Sequence, residues 1–485
     1  MVISIATLVT FGVYLVGMLL IGIVCYKKTN NVSDYLLGGR QLGGWVAAMS
    51  AGASDMSSWL LLGLPGAFYA GGLGEIWLPL GLAIGVFLNW QFVAPRLRKY
   101  TEVSGDSITI SEFLENRFRD RSKLLRIISA IVILLFFAFY TSAGLVGGAI
   151  LFEKSFGLTY STALLIGAAV IIAYTFLGGF LAVSWTDFFQ GILMFLALVI
   201  VPIVAIFEMG GLANTFEAVQ SIDSSYLNVF EGATTIGVIS LLAWGLGYSG
   251  QPHIITRFMA VKNIKEVKKG KIIGVSWTIL SMIGAMFTGL VGIAYLASNP
   301  LSDPEAVFLT FTQVLFNPWV AGFLLAAVLS AIMSTIDSQL LVSSSSLAED
   351  FYKGLIRQDA SEKEVLWVSR LGVLGIAIIA ILLAQNPESS ILDLVGYAWA
   401  GLGAAFGPVI ILSLFWKQMT RNGALAGMIA GGLTVIIWGN ISGGLFDLYE
   451  LAPGFLFSAI AIFLTSMLDQ KPSQEIEEEF ERATA

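Results

Sequence analysis

The segment Gln41–Gly74, QLGGWVAAMSAGASDMSSWLLLGLPGAFYAGGLG, holds a single charge, Asp55, in 34 residues. It is long and apolar enough to cross the roughly 30 Å hydrocarbon core of a bilayer. Its centre, SAGASDMSSW (Ser50–Trp59), is nevertheless small residues and hydroxyls around a carboxylate. An acid at that depth costs several kcal/mol unless it is neutralised, solvated or matched to a cation. The rest of the chain shares this character. Of 485 residues 56% are hydrophobic and only 12% charged, about half the charged fraction of a soluble domain. The charges cluster between long apolar runs, so the chain reads as an all-α polytopic membrane protein. The first run, Ile3 to Cys25, lacks a basic leader and is long enough to span, so it reads as a helix and not a cleaved signal. The single Cys25 excludes an intrachain disulfide or a cysteine metal cluster, and the lone His253 argues against zinc or haem.

Working outward, thirteen spans are predicted, near 3–25, 43–65, 75–95, 126–149, 160–179, 182–206, 233–252, 273–297, 319–346, 366–384, 391–414, 424–441 and 452–469. An outside N-terminus and an inside C-terminus place 25 of the 26 lysines and arginines on the cytoplasmic side, from Lys27, Lys28 and Arg40 to Arg482, and leave only Lys154 outside. The segments 97–125 and 207–232 have the size of short surface helices. In the first, Thr109 and Glu112 have capping-box spacing. The acidic tail EIEEEFERATA reads as a solvated end.

Three acids lie inside spans: Asp55, Asp187 in AVSWTDFFQG and Asp337 in SAIMSTIDSQL. No Lys or Arg stands away from the end of a span to pair with them, which points to a mobile partner, Na⁺ or H⁺. At about 1.5 Å per residue, Asp55 falls near the midplane of span 2, and Asp187 and Asp337 both fall toward the inner side of spans 6 and 9. Ala331, Ser334, Thr335 and Ser338 follow i, i+3, i+4, i+7 spacing and form one face of span 9 with three hydroxyls. Gly52, Ala53 and Ser54 before Asp55, with Ser57 and Ser58 after it, suit a helix that unwinds and turns backbone carbonyls toward an ion. Hydroxyl and carbonyl oxygens suit Na⁺ better than a bare proton relay. In span 7, LLAWGLGYSGQPH carries Gly245, Gly247, Gly250 and Pro252, a second interrupted helix, with Trp244 and Tyr248 on one face. The glycine- and aromatic-rich span 11, LVGYAWAGLGAAFGP, reads as a flexible gate.

With these pieces in view, LLGGRQLGGWVAAMSAGASDMSSW, GGFLAVSWTDFFQ, AWGLGYSGQPHI, SAIMSTIDSQLLVSSSSLAEDFY and YAWAGLGAAFGP, in this order, resemble the sodium:solute symporter family, and within it the sodium/proline symporters. The resemblance covers about residues 1–470. It implies a LeuT-like core of two inverted five-helix repeats, residues 43–206 and 233–414. Residues 1–42 precede the core, an extracellular segment 207–232 joins the repeats, and 415–469 and a tail 470–485 follow. It implies sodium held by carbonyls of Ala53, Met56 and Ala331 and hydroxyls of Ser334 and Thr335. Ser57, Trp244, Tyr248 and Pro252 match the proline-binding stretch, with Ser58 beside them, and Asp55, Tyr140 and Arg40 match positions tied to coupling. Relatives commonly have Gly in place of Ser58 and Ser in place of Asp337. With Asp187 and Ser338, Asp337 is a candidate for a second cation or a proton.

The function expected is import of L-proline with Na⁺ as coupling ion, by alternating access, in the cell membrane. Neither nucleic acid nor an obligate protein partner is implied. The alternatives are a sodium- or proton-coupled symporter of another small amino acid or carboxylate, such as pantothenate or a betaine, and a transporter-fold sensor. An enzyme lacks a convincing nucleophile–base pair.

Overall fold

Glycine and proline decide where this chain's long apolar helices run on and where they stop. A computed structural model describes residues 4–26, 31–385 and 391–484, and Lys27 and Lys28 lie outside them. Each predicted span coincides with helix. Among the described residues, nine helices are long and apolar enough to cross a membrane by length and composition alone.

The predicted second span is two pieces. Gly44–Asp55 ends at Met56, whose ψ of 70° leaves the helical region, and helical structure resumes over residues 59–71. The predicted seventh is also two. Thr235–Ala243 tightens into a 3₁₀ stretch, Trp244–Gly250, breaks at Gln251 (ψ 103°), and restarts as Pro252–Ala260. Proline is suited to that restart, because the first helical residue needs no N–H partner. It therefore opens a second half-helix here, where the sequence reading ended the span. Spans 5 and 6 lie in one segment, Tyr160–Glu208, turned at Gly179. There φ is +63°, and a Cβ would meet the Tyr35 ring at 2.7 Å.

The helix Pro318–Ser345 packs against Tyr160–Glu208, Leu124–Phe156 and Ile5–Tyr26, while Gly44–Asp55 lies against Tyr160–Glu208, Ile264–Tyr295 and Pro252–Ala260. The two broken helices are thus held among continuous ones. Close approach requires glycine: Cβ atoms at Gly85 and Gly245 would come within 2.2 Å of the opposing backbone.

Two connections behave as expected. Thr109 caps Ile110–Arg117 through the Glu112 amide at 3.0 Å, while Glu112 reaches back to the Ile108 amide at 2.8 Å. The segment after span 6 forms Leu212–Ile222.

The tail differs from its prediction. Gln474–Thr484 is a docked helix, not a solvated end. Phe480 is buried against Tyr100, with ring centroids 6.0 Å apart. Glu475 pairs with Arg119 at 3.2 Å, and Glu477 and Glu481 pair with Lys417 at 3.0 and 2.7 Å. Acids four apart share a helix face, so a run that looks uniformly acidic divides into two ion-pairing stripes flanking an apolar one.

Candidate functional site

At the break of span 2 a backbone carbonyl released by unwinding finds partners from three directions. The Asp55 carbonyl accepts from the Ser57 amide at 3.0 Å, the Trp59 indole at 3.2 Å and the Tyr140 hydroxyl at 3.4 Å. Buried carbonyls and indole N–H groups each need a partner. The break is therefore a fixed feature of the fold, and Tyr140 belongs to it. Trp59 is not among the residues predicted for the site, because the sequence does not show which carbonyl an unwound turn releases.

The carboxylate of Asp55 turns the other way. Its Oδ2 accepts from the Tyr248 hydroxyl at 2.8 Å, which joins the break of span 2 to the 3₁₀ stretch of span 7. Its Oδ1 is buried with no hydrogen-bond partner, as is the hydroxyl of neighbouring Ser58. Gly147 makes room for Ser58, since a Cβ there would stand 2.7 Å from its hydroxyl.

Span 9 brings its hydroxyl face to the same place. Ser334 Oγ donates to the Ala53 carbonyl at 2.8 Å and also lies 3.2 Å from the Ala331 carbonyl, and Thr335 Oγ1 lies 3.5 Å from the Ala53 carbonyl. Four of the five oxygens singled out from the sequence thus gather between spans 2 and 9. Met56, which would supply the fifth, stands at the break itself, with its amide bonded to the Gly52 carbonyl.

Aromatic rings wall the span 7 side. Trp244 stacks on Tyr449 at 5.2 Å and on Trp399 at 6.4 Å, and Trp59 lies 6.5 Å from Trp244. Trp399 meets Tyr248 edge-on at 5.2 Å and donates its indole N–H to the Trp244 carbonyl at 2.8 Å. A Cβ on Gly247 would lie 2.0 Å from that indole nitrogen. Span 11 therefore braces the unwound part of span 7 through Trp399. Pro252 is set apart from this wall. It lines a cavity of about 20 Å³ with Thr256, Ser111 and Ser345.

Asp187 contradicts the expectation of a carboxylate without a basic partner. Arg257, on the half-helix that Pro252 opens, is fully buried with a guanidinium nitrogen 3.3 Å from Asp187 Oδ2. The same oxygen accepts from Ser50 at 2.6 Å and from Ser54 at 3.1 Å. Arg257 also donates to Ser50 at 3.1 Å and to Ser338, and Ser338 lies 2.8 Å from Ser54 and 3.2 Å from Asp337. Asp187 and Ser338 meet at a guanidinium, and Asp337 joins them through Ser338. A span predicted to end at Pro252 leaves Arg257 in a cytoplasmic loop, whereas the half-helix that Pro252 opens carries it into the core.

Arg40 is not drawn into this cluster. It binds Asp106 at 2.8 Å, the Met259 carbonyl at 2.7 Å, the Ser107 carbonyl at 2.7 Å and Thr101 at 3.2 Å. It fastens the end of the second half of span 7 to the connection after span 3.

Comparison with known proteins agrees with this architecture. A family model described as the sodium:solute symporter family matches residues 35–431. The chain is 56% identical to the high-affinity proline transporter of Bacillus subtilis, covering 96% of this chain and 98% of that protein. It is 52% identical to the osmoregulated proline transporter of the same organism, over 97% and 96%, and 50% identical to the sodium/proline symporter of Escherichia coli, over 100% and 97%. Among solved structures, a substrate-bound, outward-open Na⁺-coupled sialic acid symporter superposes with a TM-score of 0.84 at 22% identity, covering 97% of this chain and all of that one. A nucleobase-cation-symport-1 family transporter superposes with a TM-score of 0.56 at 13% identity, over 94% and 100%. With the family model spanning most of its length and relatives at half identity or more end to end, the chain belongs to the sodium:solute symporter family.

Proposed function

We propose that this protein imports L-proline across the cell membrane together with Na⁺, by alternating access around the breaks of spans 2 and 7. The observation that carries the reading is the Asp55–Tyr248 hydrogen bond. It links the ion side of the site to the aromatic side and leaves one carboxylate oxygen without a partner. The substrate is taken from relatives 50–56% identical over nearly their whole length.

Sodium would be received by the carbonyls of Ala53, Met56 and Ala331 and the hydroxyls of Ser334 and Thr335. The Ser334 hydrogen now spent on the Ala53 carbonyl would turn away, so that both oxygens face the ion. Filling this place draws span 9 and the first half of span 2 together, and the order gained at Met56 and Ser57 passes to Asp55 and Tyr248. Proline would lie between Ser57, Ser58 and the wall of Trp244 and Tyr248, its ring on the aromatic faces. Amide N–H groups at the break and the N-terminal end of the following half-helix would receive its carboxylate. Each ligand then raises the affinity for the other by the same factor. At about −100 mV an entering sodium contributes about 2.3 kcal/mol of drive. Spans 2–6 and 7–11 would form the two inverted repeats, with Arg40 fastening the cytoplasmic end of the second half of span 7.

Labelled-proline uptake into proteoliposomes, with and without an inward sodium gradient, tests this reading. Uptake driven by sodium, and lost in Asp55→Asn at the sodium concentrations that half-saturate the native protein, is the expected result, and proline uptake indifferent to sodium would overturn it.

A further inference from the structure

The network around Arg257 has a composition that the symport reading leaves unused. Asp187, Asp337 and the hydroxyls of Ser50, Ser54 and Ser338 come from spans 2, 6 and 9, and together they are two carboxylates and three hydroxyls in a site with no solvent exposure. Oxygen sets of this kind suit a small cation. The place is taken by a side chain: Arg257 lies 3.3 Å from Asp187, bonds to Ser50 and Ser338, and is further held by the His253 carbonyl at 2.7 Å and the face of Phe180 at 5.1 Å. Asp337 joins this network through Ser338, whose hydroxyl lies 3.2 Å from it.

We propose that Arg257 is a tethered cation occupying a second cation position, so that the protein carries one sodium ion per cycle. The inference rests on the symport reading only for its transport measurement. Two physical reasons support it. Arginine is a permanent cation with five N–H donors, and each hydroxyl that accepts from it has a lone pair withdrawn from any incoming ion. Its charge also compensates Asp187, which would otherwise need a mobile partner, and a sodium ion set beside the guanidinium would meet like-charge repulsion in a medium that screens poorly. Because the guanidinium belongs to the half-helix opened by Pro252, it follows span 7 wherever that helix moves. An ion would be released at each turnover, whereas Arg257 compensates Asp187 without entering the cell.

Two measurements on the purified full-length protein test this: ²²Na⁺ bound per protein at saturation in detergent, and the ratio of ²²Na⁺ to proline flux in proteoliposomes. The native protein is expected to bind one sodium, with a flux ratio of one and a Hill slope of one for sodium. Arg257→Ala opens the oxygen set and is expected to bind two, with the Hill slope rising toward two. Arg257→Lys keeps a cation and stays at one, and adding Asp187→Asn to Arg257→Ala returns the count to one. Two sodium ions on the native protein, or one on Arg257→Ala, would overturn the proposal. The binding count needs no proline, so it decides the matter even in a variant that does not transport. Native protein that binds one sodium but moves no proline counts against the substrate reading, not against the role of Arg257.

Discussion

Two buried carboxylates lie close in this fold and are compensated in opposite ways. Asp55 meets a neutral hydroxyl, that of Tyr248, and keeps one oxygen without a partner. Asp187 meets a guanidinium and two serine hydroxyls on a single oxygen. A buried acid in a transporter is therefore informative only once its partner is known. An acid held by a neutral donor leaves its compensation to a visiting ion in the proposed mechanism, whereas one paired with arginine has been compensated by the protein itself.

The largest effects should separate these roles. Asp55→Asn removes the carboxylate that the proposed mechanism offers to the ion. If it acts like a buried partner removed from a charge pair, about 3–5 kcal/mol is lost, on the order of 10²–10³-fold in the sodium concentration needed for half-maximal uptake. An unchanged sodium response would break the comparison at its first term. Asp187→Asn strands Arg257, so the cost of about 3–5 kcal/mol should fall on folding and appear as a lowered thermal midpoint in detergent. Asp187→Leu combined with Arg257→Met should regain most of that stability, because neither charge is then left buried alone. A single variant as stable as the native protein would contradict the pairing.

Smaller effects sharpen the Asp55 side. Tyr248→Phe deletes a hydrogen bond to a charged group, about 1.5–3 kcal/mol, or roughly 10- to 100-fold in apparent affinity for sodium and proline. Trp59→Phe deletes a neutral bond to the Asp55 carbonyl, which is shared with two other donors, at about 1 kcal/mol. A several-fold weakening of proline binding, read from competition with labelled proline, is the expected result.

A third acid gives the smallest and most pH-dependent effect. Glu305, in the connection between spans 8 and 9, is pushed up to about 7 by burial, with Asp303 adding to the rise and the amides of Ile391 and Leu392 opposing it. A carboxyl raised in the folded state favours folding while it is protonated. That contribution is present below its ordinary value near 4.5 and is lost as pH rises through about 7. Glu305→Gln should flatten the fall in thermal midpoint between pH 5 and 8 (about the window those values define), and an unaltered pH profile would remove Glu305 from the set of compensated acids.

Much of the site was legible in the sequence because its signals are local. The hydroxyl face of span 9 follows from helical spacing alone, and the breaks of spans 2 and 7 follow from clustered glycine, serine and proline where an uninterrupted apolar helix would not place them. Trp59 and Trp399 were not legible in this way. Their roles depend on which carbonyl an unwound turn releases and which ring lies across from it, at Asp55 and Trp244. The tail was misread because composition records its charge and not the two stripes that its helix presents to Arg119 and Lys417.

Hydropathy, the placement of lysines and arginines, and the cost of a lone Asp55 in an apolar run determined from sequence alone that the chain lives in a membrane and that a cation bears on its mechanism. Partner choice was left to the tertiary structure. Whether Asp187 awaits an ion or already has one depends on Arg257, 70 residues away along the chain and 3.3 Å away in space. The reason is physical: a backbone period specifies which side chains share a helix face, whereas the charge balance of a buried site is a property of every helix that meets there.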